Sequence, residues 1–216
     1  MPLSQLEFDQ KNTATTFITG AAGDIEVLIT LPKILTEFTP VAVISHPHPL
    51  YGGSMTNKVV HILAKFFTEL DAITVRFNFR GVGKSEGQYQ EGIGEADDLQ
   101  VIVAELKEWR SQAPIWLAGF SFGAYVTTRA QVEIKPEKLL LVAPPVSMYP
   151  FDGLAEIDVP WIVIQGGQDE VIDANAVKNW IMQRPNKPQL LWMEEASHFF
   201  HGKLNEVKEL LLKAWV

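Results

Sequence analysis

The feature that most constrains this chain is a recurring unit in which a short strand-like run is followed by residues at helical spacing. Val41 to Ile44, Ile115 to Ala118, Leu139 to Ala143, Trp161 to Gln165 and Gln189 to Met193 are mostly apolar, and Ile73 to Phe79 alternates apolar with polar residues. Apolar runs this short suit strands buried on both faces. Between them, Val59, Val60, Ile62, Leu63, Phe66, Phe67 and Leu70 recur on one helical face, as do Leu99, Ile102, Val103, Leu106 and Trp109. Helices are also expected over 174–182 and in the final segment carrying Leu204, Val207, Leu210, Leu211 and Ala214. Ahead of the alternation, Thr15 to Ile18 and Ile25 to Leu31 flank Gly20-Ala21-Ala22-Gly23-Asp24, the pattern of an antiparallel hairpin or meander. The predicted class is α/β: a mostly parallel central sheet with an antiparallel N-terminal part, covered by helices on both faces. At 216 residues and 47% hydrophobic content, the chain fits a single domain over 1–216.

Composition removes several functions. With 18 basic against 26 acidic residues the formal charge is −8, and no Lys/Arg-rich run stands out, so nucleic acid is a poor partner. The absence of cysteine excludes disulfides, thiolate metal sites and a cysteine nucleophile. The start, Met1 to Phe8, has neither a basic nor an apolar signal region, and no apolar run approaches the roughly 20 residues of a membrane span. A soluble, cytoplasmic protein is expected.

In a parallel sheet, ligands bind beyond the carboxyl ends of the strands, so chemistry is sought on the loops that follow them. Gly119-Phe120-Ser121-Phe122-Gly123 lies between a strand-like run and the helix-compatible Ala124 to Ala130, which is the nucleophile-elbow pattern. A serine hydroxyl is a weak nucleophile; it needs a histidine to take its proton and a carboxylate to orient that histidine. Asp169 follows the Trp161 to Gln165 run behind two glycines, and His198 follows the last strand. The resulting order is Ser, Asp, His. Asp169 could instead cap the next helix. Glu170, Asp173, Asp158 and Asp152 compete for the acid role, and His201 competes with His198.

An oxyanion needs backbone donors. Phe122 N–H is one candidate, as the amide after the nucleophile. The other should come from the loop His46-Pro47-His48-Pro49, where the prolines have no N–H to give. His48 is expected to supply it, with Leu50 or Tyr51 in reserve. His46 and His48 do not match a zinc-ligand spacing. Gly83-Lys84-Ser85 after a strand has the ending of a phosphate-binding loop, but Asn78 stands where its leading glycine belongs and no helix pattern follows. This loop is expected to edge the site, with Arg80 in an ion pair.

Across nearly its whole length the chain resembles the α/β-hydrolase superfamily, closest to the small, lidless hydrolases related to dienelactone hydrolases and short serine esterases. The matching pieces are His46-Pro47-His48-Pro49 with Tyr51-Gly52-Gly53, Phe77 to Gly83 with Ser85, Gly119 to Gly123, Gly167-Gln168-Asp169 and Ser197 to Phe200. The resemblance implies a three-layer α/β-hydrolase fold with Ser121 as nucleophile, Asp169 as acid and His198 as base. Pro47 replaces the glycine of the commoner His-Gly-x-Pro oxyanion loop. Only Ala143 to Val159 separates two strands where many relatives insert a cap, so no cap domain is expected. Tyr51, Met55, Phe120, Met148, Phe199 and Phe200 are candidates to line an open pocket, though each could equally be core. The expected function is cofactor-independent cleavage of a small ester or related acyl substrate through an acyl-enzyme. A peptidase or thioesterase with the same machinery, or a non-catalytic interaction domain, are the alternatives. The strand near Leu190 to Met193 could support a homodimer through an exposed edge.

Overall fold

The computed structural model describes residues 2–215. The strand-like runs form one eight-stranded sheet from β1 (Thr13–Gly20), β2 (Gly23–Thr30), β3 (Val41–Ser45), β4 (Ile73–Phe77), β5 (Ile115–Phe120), β6 (Lys138–Val142), β7 (Trp161–Gly166) and β8 (Gln189–Met193). Their spatial order is β1-β2-β4-β3-β5-β6-β7-β8. β1 pairs antiparallel with β2, and β2 antiparallel with β4; every pairing from β4 to β8 is parallel.

Five helices intervene: α1 (Lys58–Glu69), α2 (Ile93–Trp109), α3 (Phe122–Ile134), α4 (Ala174–Met182) and α5 (Leu204–Ala214). Successive strand residues point to opposite faces. Val41 and Val43 accordingly join the cluster with Leu99, Val126 and Val177 of α2, α3 and α4, while Ala42 and Ile44 join the cluster with Phe66 of α1 and Leu211 of α5. Strands buried on both sides are why their sequences read as continuous apolar runs.

Two features place the loops. β3 lies between β4 and β5; the crossover from β3 to β4 runs through α1 on one face and that from β5 to β6 through α3 on the other, which opens a crevice at the carboxyl ends of β3 and β5. Ser45 pairs in register with Gly119, so the loops after β3 and β5 emerge side by side. β4 ends two residues before the alternation of its sequence does: Asn78 N–H turns to Glu26 O and Phe79 N–H to the His46 ring. Between β6 and β7 there is only a single turn of 3-10 helix at Phe151–Gly153, with Phe151 packed on Tyr125 and Trp180, so no cap covers the crevice.

Candidate active site

The elbow is held by close backbone approach. A Cβ on Gly119 would lie 2.2 Å from Gly123 O, and one on Gly123 would lie 2.4 Å from Ser45 O, so β3, β5 and α3 can meet this closely only with glycine at both places. Ser121, between them, has φ 54° and ψ −121°, a conformation that costs a side-chain-bearing residue roughly 1–3 kcal/mol. Its N–H is tied to Val142 O at 2.8 Å and its carbonyl accepts from Ala124 N–H at 2.8 Å. Serine at a helix N-cap ordinarily turns its hydroxyl onto the helix amides. Here it makes no such bond, and Ser121 Oγ instead lies 3.1 Å from His198 Nε2.

His198 Nδ1 is 2.9 Å from Asp169 Oδ2. An ionised carboxylate only accepts, so Nδ1 carries the proton and Nε2 is the acceptor for Ser121 O–H. Asp169 is fixed on every side: Oδ2 also accepts from Gln165 Nε2 at 3.0 Å, and Oδ1 accepts from Val171 N–H at 2.9 Å and Ile172 N–H at 2.7 Å. Burial pushes this carboxyl up, but the His198 hydrogen bond and charge, with the Ile172 and Val171 amides, outweigh it and leave the group below the usual aspartate range. The side chains of His198 and Asp169 are buried at 3% and 0% exposure. Phe120 lies beneath the His198 ring at 5.0 Å, and Phe199 stands edge-on to it, also at 5.0 Å.

The competing residues have other work. Asp173 caps α4 by accepting from the Asn175 and Ala176 amides. Asp152 pairs with Arg184 at the surface. His201 is exposed, and among the described residues its ring pairs with that of Phe199, at 5.9 Å. Glu170 does join the constellation, in a different capacity: its Oε2 accepts the His198 backbone N–H at 3.0 Å. Gln165, which holds Asp169, lies outside the Ser-Asp-His order, although a lone polar residue closing an apolar strand beside two glycines is a readable signal. It has no counterpart in the pattern of nucleophile, acid and base.

On the loop after β3, Leu50 N–H donates to His48 Nδ1 at 3.2 Å and Tyr51 N–H to His48 O at 3.2 Å. The amides of His48 and Phe122 donate to no protein acceptor among the described residues. Phe122 is the first residue of α3, where amides have no intrahelical acceptor. The His48 ring is enclosed by Tyr51, Tyr89 and Phe122 at 4.8–5.1 Å, and its Nε2 faces Tyr89 Oη at 3.3 Å. Because Nδ1 accepts from Leu50, Nε2 carries the proton and donates to Tyr89. Burial moves the His48 ring below the ordinary histidine range.

His46 is wholly buried. Its Nε2 accepts from Phe79 N–H at 3.0 Å and its Nδ1–H donates to Pro47 O at 2.6 Å. Burial lowers its pKa to about 4, against a smaller upward pull from the Pro47 carbonyl. The Gly83-Lys84-Ser85 stretch is pinned to β2: Lys84 N–H donates to Glu26 Oε2, and Ser85 Oγ accepts from Glu26 N–H while donating to Asn78 O. Arg80 forms its ion pair with Asp98, at 2.7 Å and almost fully buried.

Three of the six residues expected to line the pocket are buried instead: Met55, Phe120 and Phe200. Phe120 is 0% exposed and Met55 is 7% exposed with its amide tied to Asn78 Oδ1, so both are core beneath the site rather than surface a substrate could touch. Strict alternation explains Phe120: its side chain points to the face covered by α1 and α5. Phe200 is core as well. Tyr51, Met148 and Phe199 are exposed, Tyr51 against the His48 ring and Phe199 against the His198 ring. No described helix is long and apolar enough to cross a membrane.

Comparison with known proteins gives a consistent picture. A family model for the alpha/beta hydrolase domain matches residues 51–210. An α/β serine hydrolase homologue from Coxiella burnetii is 44% identical, with a TM-score of 0.90 over 97% of this chain and 100% of that one. A lidless α/β serine hydrolase from Xanthomonas campestris is 38% identical, with a TM-score of 0.89 over 97% and 98% of the two chains. An uncharacterised protein of Rickettsia prowazekii is 32% identical over 206 residues, covering 90% of this chain and 85% of its own. With an elbow serine at the crevice, a histidine and a carboxylate aligned behind it and no cap above, the chain belongs to the alpha/beta hydrolase family, among its small lidless members.

Proposed function

We propose that this protein is a serine hydrolase that cleaves a small ester or related acyl substrate through an acyl-enzyme, with Ser121, His198 and Asp169 as its triad. The observation that carries this reading is the unbroken line from Ser121 Oγ to His198 Nε2 at 3.1 Å and from His198 Nδ1 to Asp169 Oδ2 at 2.9 Å. In this reading Ser121 Oγ attacks the acyl carbon as its proton passes to His198 Nε2, and Asp169 holds the resulting imidazolium in place. The His48 and Phe122 amides, having no protein acceptor, receive the developing oxyanion. Collapse of the intermediate expels the alcohol, which takes the proton from His198. A water then gives its proton to the same nitrogen, attacks the acyl carbon and frees the carboxylic acid and Ser121. The cycle consumes only water and needs no cofactor.

The test is labelling with a fluorophosphonate probe, which forms a covalent bond to an activated serine. Wild-type protein should label and Ser121→Ala should not. Labelling that persists in the variant assigns the nucleophile elsewhere and ends this reading.

A further inference from the structure

Beside His198 lies a basic trough in an acidic protein. A cavity of about 440 Å³ opens between the start of α1 and the turn before α5, bordered by Lys58, His61, Lys65 and Gly202. A second, of about 420 Å³, shares Lys58 and Gly202 with it and continues to Phe199 and Gly52. Lys58, His61 and Lys65 are spaced i, i+3 and i+7, one face of α1. Behind them on β4, Arg76 points to the same side of the sheet, since Val75 and Phe77 point to the other.

No aspartate or glutamate borders either cavity, although the chain carries 26 of them. Lys58, Lys65 and Arg76 form no ion pair among the described residues; the half-buried Arg76 donates only to Met55 O, at 3.3 Å. On the elements that border the trough, Glu69 of α1 is paired with Lys208, and Glu195 and Glu206 with Lys203. His61 is held below the ordinary histidine range, first by burial and then by the charges of Arg76 and Lys65, as expected where cations face one another without an anion between them.

The position of the trough says which part of a substrate would enter it. His198 hands its proton to the leaving group, so that group departs past the His198 ring. Phe199 stands edge-on to that ring at 5.0 Å and forms the near wall of the trough. Resting on the triad reading above, we propose that the trough receives the leaving group of the substrate and that this leaving group carries a carboxylate or phosphate, bound by Lys58 and Lys65, with Arg76 adding positive charge from behind.

The experiment uses acetate esters whose leaving alcohol ends, after a two- to six-carbon chain, in an amide, a carboxylate or a phosphate. At low salt the anionic esters should show kcat/KM about tenfold above the amide, a preference that falls with ionic strength. In the Lys58→Gln/Lys65→Gln protein the ratio of anionic to amide kcat/KM should fall to about one. The carboxylate and phosphate arms identify the anion. Equal rates for all three esters in the wild type, or a preference that survives in the double variant, overturns the proposal. A parallel titration reads the trough without turnover: inorganic phosphate should shift the His61 ring signals in NMR saturably, and not in the double variant. No saturable shift, or one unchanged in the variant, also overturns it. Fluorophosphonate labelling of Ser121 separates failure here from failure of the hydrolase reading.

Discussion

Asp169 shows at the scale of one residue how the site selects among similar side chains. Both of its oxygens are saturated, by His198, Gln165, Val171 and Ile172. Glu170, next to it, reaches only the His198 backbone and therefore positions the base without touching its ring. The two loop histidines separate in the same way. His198→Ala should lower p-nitrophenyl ester turnover by about 10²–10⁴-fold, as expected when a general base is removed, while His201→Ala should retain most of it. Equal losses in steady-state assays would count against His198 as base. His46 carries a prediction about pH. Its folded pKa is depressed to about 4 from an ordinary 6.5, so the unfolded chain takes up the proton first as pH falls. Its contribution is complete above about pH 6.5, shrinks between 6.5 and 4, and is gone below 4, a total of about 3 kcal/mol. Urea titrations across this window should show that loss in wild type and a flatter profile in His46→Gln, whose amide does not titrate.

At the scale of elements, the site depends on contacts that tie post-strand loops to their neighbours. Arg80, just past β4, is held by both oxygens of Asp98 on α2, at 2.8 and 2.7 Å. The pair is nearly inaccessible to water, with side-chain exposures of 5% and 2%. Removing one partner leaves a buried charge unmatched, so Asp98→Ala should cost about 3–5 kcal/mol, read as a lower urea midpoint, and Arg80→Met/Asp98→Leu should recover much of it. An equal loss in the double variant would mean that size and shape, rather than the stranded charge, dominate. The elbow works on the same principle with backbone instead of charge. Gly119 and Gly123 let α3 sit against β3 and β5, and that contact sets both the strained backbone of Ser121 and the free amide of Phe122.

For the whole molecule, the chain end closes the face opposite α2 and α3. Trp215 packs edge-on to Phe66, Phe67 and Trp116 at 5.3–5.6 Å and is 7% exposed. Trp215→Ala should cost about 3–5 kcal/mol and lower Tm by roughly 6–20 °C in calorimetry, with fluorophosphonate labelling of Ser121 kept below the new midpoint. A Tm shift under about 2 °C would show that α5 closes the sheet without it.

What the sequence determined by itself is local. Periodicity located the central strands and α1, α2 and α5, because side-chain direction repeats every two residues in a strand and about every 3.6 in a helix, while α3 was legible from the elbow motif that precedes it. The Gly-x-Ser-x-Gly turn and the order Ser, Asp, His were readable for the same reason, since a motif needs only neighbours in the chain. Tertiary structure decided what depends on distances between strands far apart in sequence. Sheet order and register brought the loops after β3, β5, β7 and β8 to one crevice and turned Asp169, rather than Asp173, toward His198. They also buried Phe120 and Met55, put Gln165 behind the acid, and set the cations of α1 against Arg76 beside the His198 loop. No spacing along the chain encodes those meetings, because each is fixed by the crossovers and by the burial of both faces of one sheet.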